Sequence, residues 1–178
     1  MTPTPAGTVR VVTADADATR ALGGRLAAVL RAGDLVMLSG GLGAGKTTLA
    51  QGIGAAMDVR GRVSSPTFII ARVHPALGPG PDLIHVDAYR LGSLEEVDAL
   101  DLDSSLAESV TLVEWGRDKV EALSDNRLEV VVARPHGGLA GQAAEVTDLE
   151  DIDDGRREIT VTALGPRWEG VDLSGLVG

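Results

Sequence analysis

Leu35-Val36-Met37-Leu38-Ser39 is an apolar run of strand length that leads into Gly40-Gly41-Leu42-Gly43-Ala44-Gly45-Lys46-Thr47-Thr48. Helix-forming residues follow. The spacing G-x-x-x-x-G-K-[ST] between a strand and a helix is that of a phosphate-binding loop. Each residue type has a physical reason. Gly40, Gly41, Gly43 and Gly45 let consecutive N–H groups turn into one concavity, an anion nest. A helix starting near Lys46 aims the positive end of its dipole at the same point. Lys46 can reach the β- and γ-phosphates of a nucleotide as a mobile charge, and the Thr47 hydroxyl can take a position on Mg²⁺. Gly41, Leu42, Gly43, Ala44, Gly45, Lys46, Thr47 and Thr48 are thus the expected phosphate cradle. A glycine-rich turn without a ligand is the alternative, and strand, glycines, Lys-Thr and helix together argue against it.

The rest of the chain limits what could surround such a loop. It has 178 residues, enough for one domain. It has no cysteine, which removes disulfides, thiolate metal sites and a cysteine nucleophile. His74, His85 and His136 show no metal-ligand spacing, and His85 lies in an apolar run, as a satisfied sheet histidine would. Net charge is −10, and Lys46 and Lys119 are the only lysines. Phosphate backbones are gripped by clustered Lys and Arg, so a nucleic-acid role for this chain would be indirect. Met1–Val9 lacks a signal pattern, and no apolar run approaches the ~18 residues of a membrane span. The expected location is the cytoplasm.

Periodicity supplies the framework. Residues 1–8 read as a flexible N-terminus and Arg10–Thr13 as a short strand. Thr13 or Asp15 can cap a helix carrying Leu22, Leu26, Val29 and Leu30 on one face, ended by Gly33. The helix after Lys46 extends to about Met57 with Leu49, Ile53 and Ala56 inward, and Gly52 and Gly54 suggest close packing there. Ile69–His74 and Leu83–Asp87 read as a hairpin around Pro75–Pro81. Ser93-Leu94-Glu95-Glu96 is a capping box. Val110–Val113, Leu128–Ala133 and Glu158–Ala163 are further strands, and residues from about 135 to 155 form a long acidic loop. Strands mixed with helices around one phosphate loop predict a single α/β domain: a P-loop NTPase-like three-layer sandwich with a mixed, partly parallel sheet.

A phosphate loop that binds Mg²⁺ needs a carboxylate at the end of a neighbouring buried strand. Glu114 and Asp87 both end apolar strands. One would hold the metal, directly or through water; the other would orient the attacking water or tie down Thr47. The four aromatic residues are Phe68, Tyr89, Trp115 and Trp168, and the first three adjoin candidate site segments. Core packing is the plain reading for each and suits Phe68; a partner or ligand surface suits Trp115.

Taken in order, Gly40–Thr48 (G-G-L-G-A-G-K-T-T), Ser65–Phe68 (S-P-T-F), Val86–Leu91 (V-D-A-Y-R-L) and Leu112–Trp115 (L-V-E-W) resemble the TsaE family, small ATPases of bacterial tRNA threonylcarbamoyladenosine biosynthesis. The resemblance covers about Val12 to Trp115 and, more weakly, the final strands. It implies ATP and Mg²⁺ as cofactors, Lys46 and Thr47 as phosphate and metal ligands, Glu114 as the acidic metal-site residue and Asp87 as the aspartate required for hydrolysis. It places Thr67 in a switch loop near the γ-phosphate, Thr19 near the adenine, and Arg156 or Arg157 close to the nucleotide. It also implies two partners, the subunit that transfers threonylcarbamoyl to adenosine 37 of ANN-decoding tRNAs and its paralogous scaffold. Hydrolysis would reset that complex between turnovers.

Two other classes share the loop. A P-loop kinase for a small metabolite needs an acceptor site and an Arg-bearing lid, and no clear Arg cluster follows Glu114. A GTP-dependent switch needs N-K-x-D, but the single asparagine, Asn126, precedes Arg127.

Overall fold

The computed structural model describes residues 5–40, 45–59, 71–87, 108–114, 126–133 and 156–177. In chain order these form β1 (Pro5–Thr13), α1 (Ala16–Val29), β2 (Leu35–Ser39), α2 (Lys46–Met57), β3 (Ala71–His74), β4 (Asp82–Asp87), β5 (Ser109–Glu114), β6 (Arg127–Ala133) and β7 (Arg157–Leu164). Short 3₁₀ turns follow at Pro166–Trp168 and Ser174–Val177. The capping box at Ser93 and the acidic stretch 135–155 lie outside the described residues.

The strands make one mixed sheet in the order β1-β7-β6-β2-β5-β4-β3. β2 is central, parallel to β5 on one side and β6 on the other. β4 continues the parallel run beyond β5, and β3 closes that edge as the antiparallel arm of the expected hairpin. On the other wing, β7 runs antiparallel to β6, and β1 antiparallel to β7. The α/β class with a mixed, partly parallel sheet is thus the observed one.

The apolar patterns follow from these positions. Leu35 to Leu38 are all buried, as a central parallel strand covered on both faces requires. In β6 and β7 only alternate residues are fully buried, among them Leu128, Val130, Ile159 and Val161. That face packs with Val36, Leu38 and Leu112 against Leu22 and Leu26 of α1 and Leu49 and Ile53 of α2. Val131 and Val12, on the opposite face, are exposed.

Asp15, not Thr13, caps α1: its Oδ1 accepts the Ala18 N–H at 2.8 Å. The helix ends at Val29 rather than running to Gly33, which adopts φ 96° in the turn into β2. Val29 and Leu30 are only partly buried against the core. The close packing expected at Gly52 is present, and Gly23 is its counterpart. A β-carbon on Gly52 would lie 2.2 Å from the Arg20 carbonyl oxygen, and one on Gly23 would lie 2.5 Å from the Leu49 carbonyl oxygen. The helices therefore touch backbone to backbone. Ala56, expected inward, is exposed, although its β-carbon lies 3.8 Å from where one would stand on Gly24 of α1.

β1 starts earlier than expected. Gly7 and Thr8 pair with Ala163 and Thr162 instead of fraying, because β7 offers a full-length antiparallel partner. At the amino edge of β2, Asp34 is clamped by Arg167, whose Nε and Nη2 donate to Oδ1 and Oδ2 at 3.0 Å each. Nη2 also donates to the Val29 carbonyl at 2.9 Å, and the Arg167 N–H donates to Asn126 Oδ1 at 2.8 Å. Trp168, beside it, belongs to the core. The Ser174 hydroxyl and N–H hold the exposed Asp172 carboxyl below its usual range. Among the described residues no helix is long and apolar enough to cross a membrane.

Candidate active site

Because β2, β4, β5 and β6 are mutually parallel, Ser39, Asp87, Glu114 and Ala133 finish at one edge of the sheet. Antiparallel pairing brings two more ends there. β7 begins at Arg157, opposite Thr13, the last residue of β1. Ligands of open α/β sheets bind outside the carboxyl ends of their parallel strands. Residues more than a hundred positions apart therefore meet around the glycine-rich loop.

The loop is anchored by its ends. Gly40 has φ 148° and Gly45 φ 108°, a left-handed conformation that favours glycine. Gly45 is also the N-cap of α2, and among the described residues no side chain caps the helix. The first-turn N–H groups of a helix cannot bond within it, so a start of this kind suits an anion. Lys46 is buried, and its Nζ donates to the Gly40 carbonyl at 2.8 Å, which holds the ammonium across the mouth of the loop. Thr47 is the second residue of α2, half-buried in the same turn. Gly41, Leu42, Gly43 and Ala44 lie outside the described residues, as do Thr67, Phe68, Tyr89 and Trp115.

Glu114 sits beside this turn in register: its Cα partners are Leu38 of β2 and Asp87 of β4. The two candidate carboxylate residues are thus direct neighbours on adjacent strands. Glu114 is buried, and its Oε2 lies 2.6 Å from His85 Nε2. His85 is the satisfied sheet histidine expected from the sequence, and its partner is the candidate metal-site carboxylate. The sequence signal was a histidine in a buried strand, which needs a partner; the partner's identity required the β4–β5 register.

Arg157 reaches the loop from β7. Its Nε would be 3.4 Å from a β-carbon on Gly45, and its Nη1 donates to the Arg156 carbonyl at 2.7 Å. Of the two candidate arginines, Arg157 is the one packed against Gly45. Thr19 lies near the start of α1, buried, with its hydroxyl 2.7 Å from the Thr13 hydroxyl and 3.2 Å from the Asp15 carbonyl. That hydroxyl ties α1 to the end of β1.

These parts suit a magnesium–phosphate ligand. Mg²⁺ is commonly held by one or two carboxylates together with substrate phosphates rather than by a protein cage. Glu114 could supply a carboxylate, Thr47 a hydroxyl, and the start of α2 the positive end of a helix dipole. Among the described residues no group of three or more His, Cys, Asp or Glu side chains forms a separate cage.

A glycine-rich strand-to-helix junction at the carboxyl edge of a mixed sheet, with a buried lysine at its mouth, defines an α/β protein of the phosphate-loop type. The family model described as "Threonylcarbamoyl adenosine biosynthesis protein TsaE" matches residues 13–138, and the chain belongs to that family. The motif resemblance is borne out. A tRNA threonylcarbamoyladenosine biosynthesis protein TsaE from Streptomyces coelicolor is 56% identical over 160 residues, 89% of this chain and 99% of that protein. The Bacillus subtilis protein of the same name is 36% identical over 159 residues, 88% of this chain and 87% of that one. The crystal structure of Bacillus subtilis YdiB has a TM-score of 0.62 and 29% identity, covering 92% of this chain and 90% of that chain.

Proposed function

We propose that this chain is a cytoplasmic, Mg²⁺-dependent ATPase serving the complex that forms N6-threonylcarbamoyladenosine at position 37 of ANN-decoding tRNAs. One observation carries the reading: Lys46 spans the mouth of the glycine-rich loop while Glu114 lies in register with Leu38 on the strand that feeds it. Family membership supports the pathway. The partners are the threonylcarbamoyl-transferring subunit and its paralogous scaffold. With −10 net charge, this chain meets tRNA only through them.

The residues divide the work. An ammonium has three donors, so Lys46 can hold phosphate oxygens while still bonding the Gly40 carbonyl. The start of α2 would turn the positive end of its dipole to the phosphates. Thr47 and Glu114 would hold Mg²⁺, which when bound neutralises phosphate charge as it develops. Asp87 would orient the attacking water. Arg157 adds a positive charge beside the loop, Thr67 belongs to the segment that answers the γ-phosphate, and Thr19 lies toward the adenine. Loss of the γ-phosphate would then release that segment and reset the complex.

The test combines binding with partner dependence. Lys46→Ala should weaken ATP affinity by about 1–3 kcal/mol, the scale of a lost charged hydrogen bond, and abolish hydrolysis. Wild-type chain with the two partner subunits and tRNA should hydrolyse ATP and sustain repeated modification, whereas Lys46→Ala should allow only the first turnover. Calorimetry showing unchanged affinity in Lys46→Ala, or repeated modification without this chain, would refute the proposal.

A further inference from the structure

We infer that His85 is a positioning residue: it fixes the carboxylate of Glu114 so that one oxygen is held by the protein and the other faces the metal. This rests on the proposed magnesium role of Glu114. The pair joins adjacent strands diagonally, since His85 is in register with Leu112 and Glu114 with Asp87. The His85 side chain is 1% exposed and that of Glu114 5%, and Nε2 and Oε2 are 2.6 Å apart. A carboxylate is acceptor-only, so with Glu114 ionised the shared proton belongs to His85 Nε2. In a site nearly closed to water, solvent does not compete for that bond.

The choice of residue argues against simple filling. Leu83, Val110 and Leu112 sit on the same face of these strands and are fully buried aliphatics. A histidine among them carries a desolvation penalty unless its polar atoms are bonded. The bond offsets that penalty and also removes rotamer freedom from a three-torsion side chain. Among the described residues no hydrogen bond is made to Glu114 Oε1. A ligating carboxylate whose second oxygen is tied to a donor keeps its orientation, and removing such a donor commonly reduces metal affinity or activity about 10–100-fold.

The experiment measures ATP affinity calorimetrically, with Mg²⁺ and with chelator, on wild type, His85→Leu, His85→Asn and His85→Gln. Melting temperature is recorded without nucleotide, and Mn²⁺ binding to the ATP complex is followed by electron paramagnetic resonance. His85→Leu and His85→Asn should lose about 10–100-fold in the metal-dependent part of the affinity while keeping metal-free ATP binding. His85→Gln, whose amide can reach the Nε2 position, should recover most of that loss and restore the Mn²⁺ signal. Equal ratios of Mg²⁺-bound to metal-free affinity across wild type, Asn and Gln variants would overturn the inference, even if His85→Leu fails to fold. Parallel loss of both affinities together with melting temperature would also overturn it, leaving His85 a packing residue. If wild type itself gains no ATP affinity from Mg²⁺, the parent reading of Glu114 falls first, a result distinct from the other two.

Discussion

Arg157 Nε lies 3.4 Å from where a β-carbon would stand on Gly45, so the first residue of β7 covers the residue that caps α2. That contact joins a late arginine to the phosphate loop. Arg157→Ala should lower MgATP affinity by about 1–3 kcal/mol, the range for a hydrogen bond to a charged group. Half-burial at a strand end predicts little change in melting temperature. Titration calorimetry alongside a thermal melt checks both, and unchanged affinity would remove Arg157 from the site.

Glu114 and Asp87 are register partners with different assigned tasks. Glu114→Ala should weaken Mg²⁺-dependent ATP binding more than metal-free binding. Asp87→Ala should abolish turnover while retaining more of the binding. Titrations with and without Mg²⁺, paired with phosphate-release kinetics, distinguish the two; the reverse pattern would exchange the roles.

Gly52→Ala places a methyl 2.2 Å from the Arg20 carbonyl oxygen, and backbone cannot rotate away. Overpacking of this kind costs about 1–3 kcal/mol or more, although alanine has the better helix propensity. Chemical denaturation should show clear destabilisation. A stabilised variant would mean that α1 and α2 are not in backbone contact.

Asp34→Ala removes the counter-charge of the Arg167 guanidinium, which is largely buried, donates to both Asp34 oxygens and keeps its bond to the Val29 carbonyl. Removing one partner of a buried pair costs about 3–5 kcal/mol, whereas replacing both by apolar residues is often close to neutral. The double variant Asp34→Leu, Arg167→Met should therefore be more stable than Asp34→Ala alone. A double-mutant cycle in denaturant measures this directly.

The isolated chain should bind tRNA weakly, since it carries 16 basic against 26 acidic residues. Filter binding across a salt series checks this. Tight, salt-sensitive binding by this chain alone would contradict an indirect role.

The amino-acid order by itself determined the local features. The apolar run before Gly40, the glycines and Lys46-Thr47 specify a strand, a phosphate loop and a helix, because those residue types satisfy short-range backbone demands. Strand-end carboxylates at Asp87 and Glu114 were legible for the same reason, and the ordered motifs carried the family. Three features were decided only by tertiary structure. The β4–β5 register made His85 the partner of Glu114 and placed Asp87 beside it. The antiparallel wing turned Gly7 and Thr8 into strand and brought Arg157 onto Gly45. The crossing of α1 and α2 set Gly23 against Gly52, and Ala56 is exposed although helical period alone turns it inward. Periodicity specifies which face of an element is apolar. Which residue of another element that face meets depends on strand order and register, and these are fixed by the whole sheet at once.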